Sequence, residues 1–170
     1  MAHQRGDYAA ALAAINRSDE AVIVKDYSAL LARGLAHQGA GDPHAALRDY
    51  DLADQRLAYA RGAAHSNIAS AQLDLGAIAE ALASAEKGVA QMAESGMTRG
   101  HWMPLLYRTC ALELAGRRED AEASLRELAQ AARYDADRTD AMQRALNDAN
   151  LDTLRERIDV GTVFAHERGE

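Results

Sequence analysis

The stretch that decides the fold is Gly41-Asp42-Pro43-His44-Ala45-Ala46-Leu47. Glycine adopts at low cost the left-handed backbone that often ends a helix, and Asp42 is a good N-cap for a helix that follows. Pro43 suits the first turn of that helix because its missing N–H would have no partner there. The stretch therefore predicts the end of one helix and the start of another, with Ala46 one turn into the second.

The same pattern of a glycine followed five residues later by an alanine occurs four times. The glycines are Gly6, Gly41, Gly76 and Gly116, and the alanines are Ala11, Ala46, Ala81 and Ala121. The glycines are 35, 35 and 40 residues apart. Asp7 follows the first glycine as Asp42 follows the second, which predicts another N-cap. Near-constant spacing indicates a repeat architecture, and the longer third interval predicts a longer helix after Gly76.

Small residues recur at two further offsets of this pattern. Seven residues after the alanines stand Ser18, Ala53, Gly88 and Leu128, and seven residues before the last three glycines stand Gly34, Ala69 and Thr109. Small side chains at the contact let two helices approach closely. The spacing therefore predicts a seam of small residues between two antiparallel helices in each repeat.

These residues resemble the tetratricopeptide repeat (TPR) family, whose unit is a pair of helices about 34 residues long. The resemblance covers residues 2 to about 134. The tryptophan that the family carries in its first helix is absent, and Leu30, His65 and Leu105 stand in its place. The resemblance implies an all-α fold, an α-solenoid in which antiparallel helix pairs stack in a right-handed superhelix.

The repeats predict the domain organisation. Residues 1–134 form the repeats, with a lone second helix over 7–17 and helix pairs over 26–60, 63–95 and 101–134. Residues 135–159 form a C-terminal helical segment, in which the apolar pattern changes phase near Asn150 and indicates either two short helices or one bent helix. Residues 160–170 are expected to form a mobile tail.

Composition and motifs exclude several classes of function. The net charge of −7 argues against binding nucleic acid through phosphate contacts. The single cysteine, Cys110, excludes a disulfide framework and a multi-cysteine zinc site. No zinc-helix, phosphate-loop or nucleophile-elbow motif is present, so we expect no enzyme activity, no metal and no cofactor. Neither a signal peptide nor a membrane-spanning segment is evident, and we expect a cytoplasmic protein that does not contact membranes.

The family resemblance implies that partners bind in the concave groove lined by the first helix of each pair. The groove residues are Leu31, Leu35, Asn67, Ser70, Leu73, Met103, Leu106, Tyr107 and Cys110. Chaperone-binding members of the family hold a C-terminal carboxylate with a Lys/Asn/Arg cluster, to which only Asn67 corresponds. The apolar lining instead favours a helix or an apolar peptide. The expected function is a protein-interaction module, free-standing or the regulatory or sensor part of a larger bacterial signalling or transcription regulator.

Two alternatives remain open for the groove. In the first, the domain is a small-molecule sensor, with its ligand held near Asn67, Tyr107 and Cys110. In the second, the chain's own segment after Asp137 either fills the groove or caps the end of the stack.

The N-terminus predicts a second surface. The helix after Gly6 matches the second helix of a pair, but only five residues precede it. Leu12 and Ile15 would then lack their usual neighbouring helix, and an uncovered apolar stripe usually meets a partner. Either the chain continues a longer protein, or this face forms a homodimer, or the alanines make its exposure tolerable.

Overall fold

Every regular secondary-structure element is helical in the residues described by this computed structural model, which are 2–56, 61–95, 102–132 and 135–166. No strand occurs within these ranges, and none of the helices there is long and apolar enough to cross a membrane. The helices are α1 (Ala2–Ile15), α2 (Glu20–Ile23), α3 (Tyr27–Ala40), α4 (Pro43–Asp54), α5 (Arg61–Asp74), α6 (Ile78–Ser95), α7 (Trp102–Leu114), α8 (Arg118–Ala131), α9 (Asp135–Asn147), a 3₁₀ turn (Ala149–Leu151), α10 (Asp152–Arg155) and α11 (Val160–His166).

Three of the four predicted glycines end a helix. Gly41, Gly76 and Gly116 have φ angles of 90°, 71° and 74°, which lie in the left-handed region. A Cβ at any of the three would meet no atom within 4 Å, so the backbone conformation and not the available space favours glycine there. Asp42 accepts a hydrogen bond from the N–H of Ala45 at 2.9 Å, which caps α4 as predicted.

The prediction for the first copy is wrong. The helix α1 begins at Ala2, so Gly6 and Asp7 lie inside it and neither ends nor caps a helix. A lone glycine costs a helix about 1 kcal/mol relative to alanine, which a helix can tolerate without ending. The short helix α2, capped by Asp19, was not predicted.

The seam of small residues is confirmed in the three helix pairs. Ala46, Ala81 and Ala121 are completely buried, and so are Ala53, Ala69, Thr109 and Leu128. At Gly34 the helices come so close that a Cβ would lie 2.3 Å from Cε1 of Tyr50. The Thr109 hydroxyl stays satisfied in the seam, because it donates to the Leu105 carbonyl at 2.8 Å.

The C-terminal region is more ordered than the sequence predicted. The expected change of phase near Asn150 is confirmed, since α9 ends at Asn147 and a 3₁₀ turn and α10 follow. The expectation of a mobile tail is wrong for residues 160–166, which form α11 with Val160 and Phe164 only 2% and 1% exposed. Residues 57–60, 96–101, 133–134 and 167–170, where the predicted segments end, lie outside the described residues.

Adjacent helices pack in pairs, α3 with α4, α5 with α6, and α7 with α8. The first helices also contact one another, α3 with α5 and α5 with α7. Beyond the pairs, α9 and the 3₁₀ turn contact α7, while α10 and α11 contact α8. The helix α6 has 18 residues against 12 in α4, which confirms that the longer repeat interval lengthens this helix.

Replacing Ala46 or Ala81 with leucine should destabilise the protein by about 1–3 kcal/mol, because three extra carbons cannot enter a fully buried seam without moving a helix. Urea unfolding followed by circular dichroism measures this change. Ala83→Leu is the matched control, since Ala83 is exposed on the same helix as Ala81. If the buried and exposed substitutions cost the same, the seam is not where the helices meet.

Candidate functional site

The predicted groove position on α7 is occupied by the chain itself. Leu106 is 2% exposed and Cys110 is completely buried, and both belong to one hydrophobic cluster with Leu151 and Leu154 of the C-terminal segment. Burial raises the pKa of the Cys110 thiol well above its ordinary value, and the Asp148 carboxylate beside it acts in the same direction. Cys110 is therefore a protonated packing residue and not a thiolate nucleophile.

An ion pair joins the same side of α7 to the C-terminal segment. Arg157 donates to Glu113 through both terminal nitrogens, from Nη1 to Oε1 at 2.9 Å and from Nη2 to Oε2 at 2.6 Å. The hydroxyl of Thr153 also donates to Oε1, at 2.5 Å. The Glu113 side chain is only 3% exposed. The hydrogen bonds from Arg157, and then that from Thr153, outweigh burial and lower the pKa of Glu113, which keeps it ionised.

The equivalent position on α3 is uncovered. Leu106, Cys110 and Glu113 precede Gly116 by ten, six and three residues, and Leu31, Leu35 and Gln38 precede Gly41 by the same numbers. We call these two sets the α7 face and the α3 face. Leu31 is half-buried, whereas Leu35 is 49% exposed. The same repeat position is therefore covered by a helical segment in one pair and open in another.

A row of polar side chains runs between the α3 face and α7. Gln38 donates from Nε2 to the Ser70 hydroxyl at 2.9 Å and to Asp74 Oδ2 at 2.7 Å, and it accepts a bond from the Tyr50 hydroxyl at 3.0 Å. Burial raises the pKa of Tyr107 on α7, and the nearby Ser70 hydroxyl acts in the opposite direction. The hydrogen bonds of Gln38 tie α3, α4 and α5 together through side chains.

The remaining predicted groove residues divide between surface and core. Asn67 of α5 is half-buried. Leu73 is 9% exposed and belongs to the same cluster as Leu106, and Met103 and Tyr107 pack against that cluster while half-buried. Of the residues suggested to hold a small molecule, Cys110 is completely buried, whereas Asn67 and Tyr107 are half-buried; the suggestion stays a prediction. Leu35 is the most exposed of the predicted groove residues.

The predicted N-terminal face is not an uncovered apolar stripe. Leu12 and Ile15 are both partly buried, and Ile15 packs against the cluster of Ile23, Leu30 and Ala53. The ring of Tyr8 lies against α3, where a Cβ on Gly39 would come within 2.4 Å of it. The exposed residues of α1 are mainly alanines, Ala9, Ala10, Ala13 and Ala14. A homodimer through this face stays a prediction, in which Leu12 and Ile15 would contribute the part of their surface that the fold leaves accessible.

Sequence reasoning missed the arginines that join elements across the fold. Arg33 donates to both carboxylate oxygens of Asp49, from Nη2 at 2.6 Å and from Nε at 2.8 Å, and both residues are buried. Arg108 donates from Nε to the Ser124 hydroxyl at 2.9 Å. Each arginine lies eight residues before a left-handed glycine and its partner lies eight residues after it. The sequence therefore contained a signal for these pairs, namely an arginine and a polar partner at equal distances on either side of the glycine.

Comparison of the chain with models of known families, with curated proteins and with solved structures gave no match.

The Glu113–Arg157 pair predicts a pH dependence. Because the pKa of Glu113 is lowered on folding, its stabilising effect is complete above its ordinary pKa of 4.5 and is lost as the pH falls through the lowered value. Glu113→Gln should therefore destabilise the protein at neutral pH by on the order of 1–2 kcal/mol, and the difference from wild type should shrink in acid. Urea unfolding at neutral and acid pH measures this difference in stability. Glu119→Gln is the control, because Glu119 is an exposed residue of α8. A difference that does not depend on pH would contradict the role assigned to Glu113.

Proposed function

We propose that the chain is a TPR-like array of helix pairs, stacked in a right-handed superhelix with the C-terminal helices at one end, that binds a helix or an apolar peptide in its concave groove. The contacts of α3 with α5 and of α5 with α7 support this arrangement, because first helices that touch in succession line one common side. The three left-handed glycine turns support it as well, since they repeat the same helix–turn–helix geometry.

The observation that carries the proposal is the difference between the α7 face and the α3 face. Leu151 and Leu154 belong to a short helical segment that contacts α7 and α8, and both are completely buried in the same cluster as Leu106 and Cys110. The α3 face has the same repeat position, yet Leu35 is about half exposed there. A surface that takes a helical segment of the chain itself in one repeat is suited to take one from a partner in another.

The charge of the protein indicates which partners fit. The chain carries a net charge of −7, and Asp74 lies exposed beside the α3 face, where it accepts a hydrogen bond from Gln38. Opposite charges steer association and disfavour partners of like charge. The partner segment is therefore an apolar helix or peptide with basic residues at its edge.

A photo-crosslinking amino acid at position 35 tests this function. In lysate of the source organism it should capture a protein that the same group at position 22 does not, because Val22 is also exposed, at 60%, but lies outside the proposed groove. Excess wild-type chain should suppress the capture, whereas Leu35→Glu chain should compete about tenfold less well. Equal capture at both positions, or equal competition by both chains, would refute binding at Leu35.

A further inference from the structure

The C-terminal segment on the α7 face is held by three regularly spaced side chains. We call residues 149–158 the strap; it comprises the 3₁₀ turn, α10 and the residues that follow. Helices of three or four residues are unstable by themselves in water, so the strap depends on what it contacts. Leu151 and Leu154 are completely buried, and Arg157, an exposed residue, pairs with Glu113. These three side chains are spaced by three residues and so fall on one side of a helical segment.

A segment that binds the α7 face needs a positively charged side chain in addition to the two leucines. Glu113 is ionised and nearly inaccessible, and a buried carboxylate is costly unless a cation and hydrogen bonds compensate it. Arg157 satisfies both oxygens with the two-pronged geometry that arginine offers and lysine does not. The face therefore selects a segment of the form Leu-x-x-Leu-x-x-Arg.

The strap lies at the surface of the molecule. Asp152, Glu156 and Asp159 point outward and are exposed, and an open depression of about 340 Å³ lies beside the strap, lined by Leu146 and residues 155–160. The helix pairs contact one another directly, so the strap is not needed to join them.

Both ends of the strap are tethered. On one side it follows α9, which packs against α7 and α8. On the other side α11 is held by Arg138, which donates to the carbonyl of Phe164 and lies over its ring at 5.8 Å. Arg155 of the strap also donates to the carbonyls of Ala145 and Asp148. These tethers would keep both ends of the strap attached if its contacts with the α7 face were broken.

We propose that the α7 face is a second docking site, for a partner helix that carries Leu-x-x-Leu-x-x-Arg, and that the strap occupies this site in the free protein. The partner displaces the strap by making the same three contacts. This inference rests on the proposed function, because it extends the binding surface from the α3 face along the array. It also explains why the α7 face, which is apolar and contains a buried acid, is covered, whereas the equivalent α3 face leaves Leu35 exposed.

The experiment uses a fluorescein-labelled synthetic peptide of residues 148–159 and the full-length chain. Wild-type chain should bind the peptide weakly, because its own strap competes. Arg157→Glu places a negative charge against Glu113 and releases the strap, so this chain should bind the peptide about tenfold more tightly or better. Arg126→Glu is the control, since it makes the same charge change at an exposed arginine of α8. Peptides with both leucines changed to serine, or with Arg157→Glu, should lose binding.

Equal affinity of the Arg157→Glu and Arg126→Glu chains for the peptide would overturn the proposal. A second measurement on wild-type chain does not depend on any variant folding. Saturating peptide should speed amide hydrogen exchange in residues 149–158 and leave α4 to α6 unchanged; unchanged exchange in the strap would also overturn the proposal. Failure in either measurement while crosslinking at position 35 still captures a partner would refute the second site alone and leave the proposed function standing.

Discussion

The rest of the structure depends on the left-handed turn made by Gly41, Gly76 and Gly116. Each glycine ends one helix and reverses the chain, so the following helix returns antiparallel to the first. The close approach that this reversal demands is met by small residues on both helices, from Gly34 against Tyr50 to the buried alanines of α4, α6 and α8. The turn and the seam act together. Without small residues the helices could not pack closely, and without the turn the small residues of the two helices would not face each other in every pair.

This repeated offset allows equivalent positions of the helix pairs to be compared. The equivalent positions on α3 and α7 differ in residue type, with Gln38 where α7 has Glu113, and in what covers them. The strap buries Leu106 and Cys110 and pairs Glu113 with Arg157, whereas Leu35 stays about half exposed.

The sequence predicted the helix pairs, the seam and the longer α6, because each has a local signal at fixed spacing. It failed at Gly6, since glycine is also tolerated inside a helix and the residue type does not reveal the backbone angle. It could not decide whether the C-terminal segment covers the groove, because that depends on contacts between residues some forty positions apart, such as Glu113 with Arg157. It failed at Phe164, which is buried in the main hydrophobic cluster and whose carbonyl accepts a hydrogen bond from Arg138, because α11 is too short to show an apolar period in the sequence.

The most direct test of this account replaces Gly76 by L-alanine and, through semisynthesis, by D-alanine. Gly76 has a φ of 71° with no atom near an added Cβ, so the two substitutions differ essentially in backbone preference. If the left-handed turn positions the helices, L-alanine should destabilise the protein by about 1–2 kcal/mol, the cost of a left-handed L-residue. D-alanine should leave it as stable as glycine, or more so, because the unfolded chain loses freedom. Equal stability of the L and D variants in urea would contradict it.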